Sequence, residues 1–388
     1  MNFEPSPEHS MIQSTAAEVA AEFGPEYWRE MEARGEFSQA FWDELAEAGF
    51  HGLLVPEEYG GAGMGIQEMG LAMETLCAEG CGMAGTWYLV LTAGMAAVGL
   101  REHGTDRQKE KYLTDIASGD RNFSIGITEP EAGTNTLNVA TRAEKVGDEY
   151  VLNGQKAWIT YSDIADNMII VTRTTPRAEV ERKTDGISLF VVDMDADGID
   201  VSPIEKHAIN YSNSCEVFLE DVRVPEEDLL GEEDGGWWPL VDMLNPELIG
   251  FAAAGTGIGM LAAETAIEYA NDREVFDQPI GAHQAVSFPI TKAYARMETA
   301  RVMRQKAEWL ADRGEDCGYE TNVAKATAVE AGIEAVKQSM QAFGGWGYAK
   351  EYDVERWWRE INLTRLAPVT QQMAYNHISQ EIGFPRSY

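Results

Sequence analysis

Basic side chains are scarce in this chain: 30 lysines and arginines stand against 65 aspartates and glutamates, a net charge of -35. Such a deficit excludes nucleic acid and anionic membrane as partners, because both are held by clustered cations. The charge describes instead a solvated acidic surface, suited to a halophilic, salt-rich cytoplasm where screening shortens the reach of self-repulsion. Cysteine is sparse too. Cys77, Cys81, Cys215 and Cys317 form no CxxC pair, which speaks against a disulfide framework and for buried thiols in a reducing compartment. The six histidines contain no HxxH or HExxH spacing, and the acid-rich segments have no calcium-loop rhythm, so no metal is expected. The stretch Gly85–Leu100 is apolar but too short to cross a bilayer, and it reads as a buried helix. With no basic presequence, the cytoplasm is the expected location.

At 388 residues, two or three packed units are expected. From Pro7 to about Asp120 apolar residues recur at three and four positions, as in Phe41, Leu45, Ala46 and Phe50, which predicts a helical domain over 1–122. Short β-rich runs follow (Phe123–Thr128, Tyr150–Leu152, Met168–Thr172, Ile187–Val192, Glu216–Leu219), predicting a small antiparallel sheet over 123–230. Residues 231–388 return to long helical segments, with breaks near Asp272, at Arg313–Gly318 and at Gly344–Tyr348. The class is α+β. Gly255, Gly257 and Gly259 have some of the spacing of a dinucleotide fingerprint, but no strand precedes them, so they are read as small-residue helix packing.

Two clusters in the sheet region carry candidate chemistry. Ile125-Gly-Ile-Thr128-Glu129-Pro130-Glu-Ala-Gly133-Thr134-Asn135 ends a strand with hydroxyls and a glycine turn, which offers donors to a polar heterocycle or simply makes a β-turn. Asn153-Gly154-Gln155-Lys156-Ala157-Trp158-Ile159-Thr160 predicts a hairpin turn just ahead of an aromatic and a hydroxyl. Trp158 either walls a flat ring or joins the core.

In order and content these stretches resemble the acyl-CoA dehydrogenase family, with its T-E-P-x-A-G-S-D and N-G-x-K-x-W-I-T motifs. The resemblance continues through Phe218 to Pro225, Tyr269 to Ile280 with Gln284, and Gln341 to Tyr348 followed by Arg359-Glu360. It implies a helical N-terminal domain, a β-barrel-like middle domain and a C-terminal four-helix bundle, assembled as a homotetramer with FAD. It further implies that Ile127, Thr128, Trp158 and Thr160 line the flavin ring, with Thr134 near flavin or pantetheine. Arg273, Phe276, Gln284, Gln341 and Gly345 are to meet the adenine and pyrophosphate half across a subunit boundary, and Thr370 and Gln372 to contact the same cofactor. An arginine fork matches phosphate oxygens, although a lone arginine also suits a surface ion pair. The implied reaction is α,β-desaturation of an acyl-CoA, with electrons passed to an electron-transfer flavoprotein. Alternatives on the same fold are an enoyl-CoA reductase, an acyl-CoA oxidase or a catalytically silent binding subunit.

Much of the family carries its base in a Y-E-G-T sequence, and Pro368 occupies that glutamate's position here. A branch similar to isovaleryl-CoA dehydrogenase places its base early in the C-terminal domain, where Glu247 falls, ten residues before Gly257. Leu248 stands where many relatives have arginine. Asn245-Pro246-Glu247 also reads as an N-cap, a first helical proline and a first-turn acid. The two readings of Glu247 differ in burial, since a base faces an apolar pocket that raises its pKa. Pro368 also lacks the amide that the family offers to the thioester carbonyl alongside a flavin ribityl hydroxyl, so either the Ala367 or the Val369 amide takes over or turnover suffers.

Overall fold

The structure is a computed structural model describing residues 5–385; the first four positions and the last three lie outside the described residues. Seven helices come first: α1 (Pro7–Glu22), α2 (Pro25–Arg34), α3 (Gln39–Glu47), α4 (Ile66–Leu76), α5 (Ala84–Leu89), α6 (Ala97–His103) and α7 (Asp106–Ser118). Ser6 caps α1 by accepting the His9 amide ahead of Pro7, and Thr105 with Gln108 forms a reciprocal box at α7. Wide π turns over Cys77–Cys81 and Val90–Ala96 flank α5. Every residue from Gly85 to Leu100 is buried, as the sequence predicts.

Eight strands follow: β1 (Phe123–Gly126), β2 (Arg142–Val146), β3 (Glu149–Thr160), β4 (Asn167–Arg173), β5 (Ile187–Asp193), β6 (Ile199–Pro203), β7 (Ser214–Pro225) and β8 (Leu229–Leu230). They form one sheet in the order β6-β7-β3-β2-β4-β5-β8, with β1 on β4. Pairings are antiparallel except β1 with β4 and the single Arg142–Arg173 pair. Successive side chains face opposite ways, so Ile169, Val171, Leu189 and Val191 join the helical core while Met168, Ile170, Phe190 and Val192 build a second one.

Asn153-Gly154 is not the hairpin turn that its composition predicts. The turn lies at Gly147-Asp148, and β3 runs on to Thr160 with irregularities between Leu152 and Gly154 and between Lys156 and Ile159. A Cβ on Gly154 would sit 2.7 Å from Thr141 Oγ1, so this glycine serves a close strand approach.

The C-terminal helices are α8 (Trp237–Asp272), α9 (Gln284–Asp312), α10 (Gly318–Phe343), α11 (Val354–Ile361) and α12 (Gln371–Glu381). A two-stranded hairpin, β9 (Glu274–Val275) with β10 (Gln278–Pro279), links the first two. α8 and α10 touch through glycine: a Cβ on Gly332 would lie 2.1 Å from Gly255 O, and one on Gly259 2.8 Å from Gly332 Cα. By length and composition α8 alone among the described helices is apolar enough to span a bilayer, and 83% of that stretch is buried inside the protein. Where α4, α8 and α9 meet, Glu74 accepts from Arg301 and Arg304 at 2.9 Å each and from Thr256 Oγ1, while Glu308 shares Arg304. This knot ties the first helical region to the last.

Candidate active site

Six carboxylates are buried among the described residues: Glu74, Glu129, Glu247, Glu308, Asp353 and Glu360. Five of them pair with arginine or lysine. Glu247 has no hydrogen-bond or ion-pair partner among the described residues, and burial alone pushes its pKa from 4.5 up to about 8. It is not a first-turn acid. α8 begins at Trp237, so Asn245 is not a cap and Pro246 lies inside the helix. Pro246 packs near Gly94 in the second π turn, and Gly250 faces Met73, Thr86 and Val90, with Thr86 Oγ1 donating to Gly250 O at 3.2 Å. Glu247 and Gly250 are one turn apart and share a face of α8.

The two sheet clusters meet at one end of the sheet. Ala157 donates its amide to Thr128 O at 2.9 Å. Beneath them the Lys156 ammonium, fully buried, donates to Ile127 O at 3.1 Å and Glu129 Oε1 at 2.7 Å. Glu129 also accepts the Ala140 and Thr141 amides. The Lys156 ammonium and these donors hold the Glu129 carboxyl below its ordinary range against the opposing pull of burial. Burial lowers Lys156 to about 8; with the carboxylate satisfied on both oxygens, the pair is charged at neutral pH. Neither Lys156 nor Glu129 had an evident role in the sequence, because pairing across 27 positions leaves no local spacing signal.

Trp158 stands at φ 62° in the second irregularity of β3 and is 57% exposed, so its indole is presented outward and does not join the core. Ile127, Thr128 and Thr160 are half-buried beside it, while Thr134 and Asn135 lie exposed on the following loop. Next to Thr160, Tyr161 donates its hydroxyl to Trp87 O at 3.1 Å, and the Trp87 indole donates to Ser212. The Trp87 ring also meets Phe251, one turn beyond Glu247, with centroids 6.1 Å apart. Trp87 therefore joins the ledge at the sheet end to the helix that carries the buried acid.

A second group forms elsewhere. Arg273, Phe276 and Gly345 line one cavity of about 470 Å³ with Tyr269, His283 and Trp346. Gln284 and Gln341 are exposed at nearby helix ends but do not line it. Arg273 makes no ion pair among the described residues, which removes the surface-salt-bridge reading, and Phe276 is 86% exposed. Thr370 caps α12 by accepting the Met373 amide, and Gln372 is exposed on that helix. A free guanidinium, an open glycine, exposed aromatic faces and strand-end hydroxyls are the donor set that a flavin dinucleotide requires.

Fold and site together define a flavin-dependent oxidoreductase of three domains, helical, sheet and helical. Residues 6–120, 124–222 and 234–383 match the N-terminal, middle and C-terminal domains of acyl-CoA dehydrogenase. The chain is 36% identical over 392 residues to acyl-CoA dehydrogenase FadE12 of Mycobacterium tuberculosis, covering 100% of this chain and 99% of that one. It is 32% identical to the caffeyl-CoA reductase-Etf complex subunit CarC of Acetobacterium woodii, covering 96% and 98%. The solved butyryl-CoA dehydrogenase from Megasphaera elsdenii superposes with a TM-score of 0.93 at 28% identity, over 98% of this chain and 100% of that one. The chain belongs to the acyl-CoA dehydrogenase family. Its cofactor is FAD and its reaction the α,β-dehydrogenation of an acyl-CoA.

Proposed function

We propose that Glu247 is the base that takes the α-proton of the bound thioester. The observation that carries this reading is that Glu247 is the buried carboxyl without a partner among the described residues. Withheld from water and donors, it binds a proton tightly enough to remove one from a weakly acidic carbon, and its range near pH 8 lies close to an enzyme's working pH. Ile127, Thr128, Trp158 and Thr160 hold the isoalloxazine ring, with Thr134 at its rim. Arg273, Phe276, Gln284, Gln341 and Gly345 hold the adenine and pyrophosphate half of a neighbouring subunit's cofactor, while Thr370 and Gln372 contact the FAD of their own subunit. Bound there, FAD supplies the acceptor for the hydride leaving the β-carbon.

An electron-transfer flavoprotein is the proposed acceptor, supported by the likeness to a subunit that works in an Etf complex. A homotetramer is supported by the outward-facing Arg273 and Phe276, which a second subunit would cover. The acidic surface, at a net charge of -35, supports a salt-rich cytoplasm and no membrane or nucleic-acid partner.

The reductase direction has its own support: a carboxyl that keeps its proton up to about pH 8 can also deliver it to the α-carbon of an enoyl-CoA, and CarC is a reductase subunit. Anaerobic stopped-flow absorbance with a panel of straight and branched acyl-CoAs at high salt tests both readings. Wild type is expected to bleach its flavin, and Glu247→Gln to do so at least about 100-fold more slowly. Equal rates remove Glu247 from the role. Oxidation of pre-reduced enzyme by enoyl-CoA that outpaces bleaching by acyl-CoA assigns the reductase direction.

A further inference from the structure

The segment before α12 is where the resemblance leaves a gap, because Pro368 has no amide for the thioester carbonyl. Ala367 is no substitute: it spends its amide on Leu363 O at 3.0 Å. The amides of Val369 and Thr370 have no partner among the described residues. Behind them lies Lys325 of α10, fully buried and without a carboxylate partner among the described residues. Its ammonium donates to Val369 O at 2.8 Å and lies 3.4 Å from Gln371 Oε1; the Gln371 amide returns to Ala326 O at 2.8 Å. Burial, with Arg365 adding repulsion, lowers Lys325 to about 8, so it remains cationic at neutral pH. Keeping an ammonium in the interior without a counter-ion is unfavourable. A neutral side chain would pack there at less expense, so the charge calls for a reason beyond packing.

Geometry supplies one. The peptide between Val369 and Thr370 is trans, so its carbonyl and its N–H point in opposite directions. By holding the carbonyl towards α10, Lys325 turns the Thr370 amide away from α10. A charged donor fixes that carbonyl about twice as firmly as a neutral one.

We propose that Lys325 is a positioning residue for the thioester carbonyl: it pins Val369 O so that the unspent Thr370 amide takes the oxygen that Pro368 cannot hold. The proposal rests on the acyl-CoA reading above. Thr370→Pro deletes that amide at φ -59°, an angle proline adopts without strain, and Thr370→Ala deletes the hydroxyl and methyl but keeps the amide.

The test is difference infrared spectroscopy of the carbonyl stretch of crotonyl-CoA and dodecenoyl-CoA, isotope-labelled at the carbonyl and bound to the FAD-loaded protein. Wild type and Thr370→Ala are expected to lower the stretch relative to water, and Thr370→Pro and Lys325→Met to lose that downshift. Flavin reduction in Thr370→Pro should fall about 100-fold. A downshift kept in Thr370→Pro means that another donor holds the oxygen and overturns the proposal; one kept in Lys325→Met removes Lys325 from it. Should Lys325→Met not fold, Lys325→Gln, polar but too short to hold Val369 O, takes its place. Glu247→Gln retains these amides and keeps the downshift. Its absence from wild type with the thioester bound overturns the proposal, whereas failure of wild type to bind either thioester overturns the acyl-CoA reading itself.

Discussion

Two stretches of α8 handle buried carboxylates in opposite ways. At Thr256 the helix helps satisfy Glu74, which two arginines and a hydroxyl hold below the ordinary carboxyl range although burial alone would raise it. Two and a half turns earlier, Glu247 is equally hidden but meets no donor, and its pKa rises to about 8. Burial sets the same starting direction for both, and the neighbours decide the outcome. Guanidinium groups stand where three helices must be tied together. They are absent around Glu247, the proposed base.

The largest effects break the comparison outright. Glu247→Gln should slow flavin reduction by about 100- to 10,000-fold and leave the thermal midpoint unchanged or raised, because an unpaired buried acid costs stability above its unfolded pKa; calorimetry beside the stopped-flow record checks both halves. Glu74→Gln should do the reverse. Removing the carboxylate leaves the fully buried Arg304 with Glu308 alone and Arg301 with Glu298 alone, at about 3–5 kcal/mol by chemical denaturation, while flavin reduction per folded molecule persists. A Glu74→Gln protein as stable as wild type would mean that the knot contributes little.

The pH dependence sharpens the contrast. Glu247 has a raised pKa in the folded chain, so between pH 4.5 and about 8 the native state binds the extra proton. Its contribution is therefore most favourable at low pH and is lost as pH rises through that window. The stability gap between Glu247→Gln and wild type should widen towards pH 8. Glu74, with a lowered pKa, contributes fully above 4.5 and loses its contribution as pH falls below it, so the gap between wild type and Glu74→Gln should close in acid. Flavin reduction by wild type should climb with pH and level off near 8.

Salt is the smallest lever. Added potassium chloride should raise the thermal midpoint by screening the net charge of -35, yet leave the pH at which reduction levels off nearly in place, because buried groups are screened little. A large salt shift in that pH would mean that Glu247 is open to solvent.

Much of the fold was legible along the chain. The change from three- and four-residue periodicity to short β runs and back marks the helical, sheet and helical regions, since those periods follow from backbone geometry. The small-residue run at Gly255–Gly259 announced close helix packing, and the resemblance to the isovaleryl-type branch singled out Glu247. Local composition misled at Asn153-Gly154, where a turn-forming pair serves a strand irregularity, and at Asn245-Pro246, where helix-starting residues sit deep inside α8. In both places tertiary packing overrode a local preference, worth about 1 kcal/mol in a strand and about 3 kcal/mol for a proline inside a helix.

By itself, then, the order of residues determined the periodic elements and the acidic exterior, because these depend on composition and on neighbours a few positions apart, while the candidate residues followed from motifs shared with the family. Only the tertiary structure decided which carboxylate is left unpaired, that Trp158 faces outward, and that Lys325 reaches Val369 across 44 positions. Those outcomes depend on burial and on partners distant in sequence, and a buried charge acquires its chemistry from what the fold brings to it or withholds.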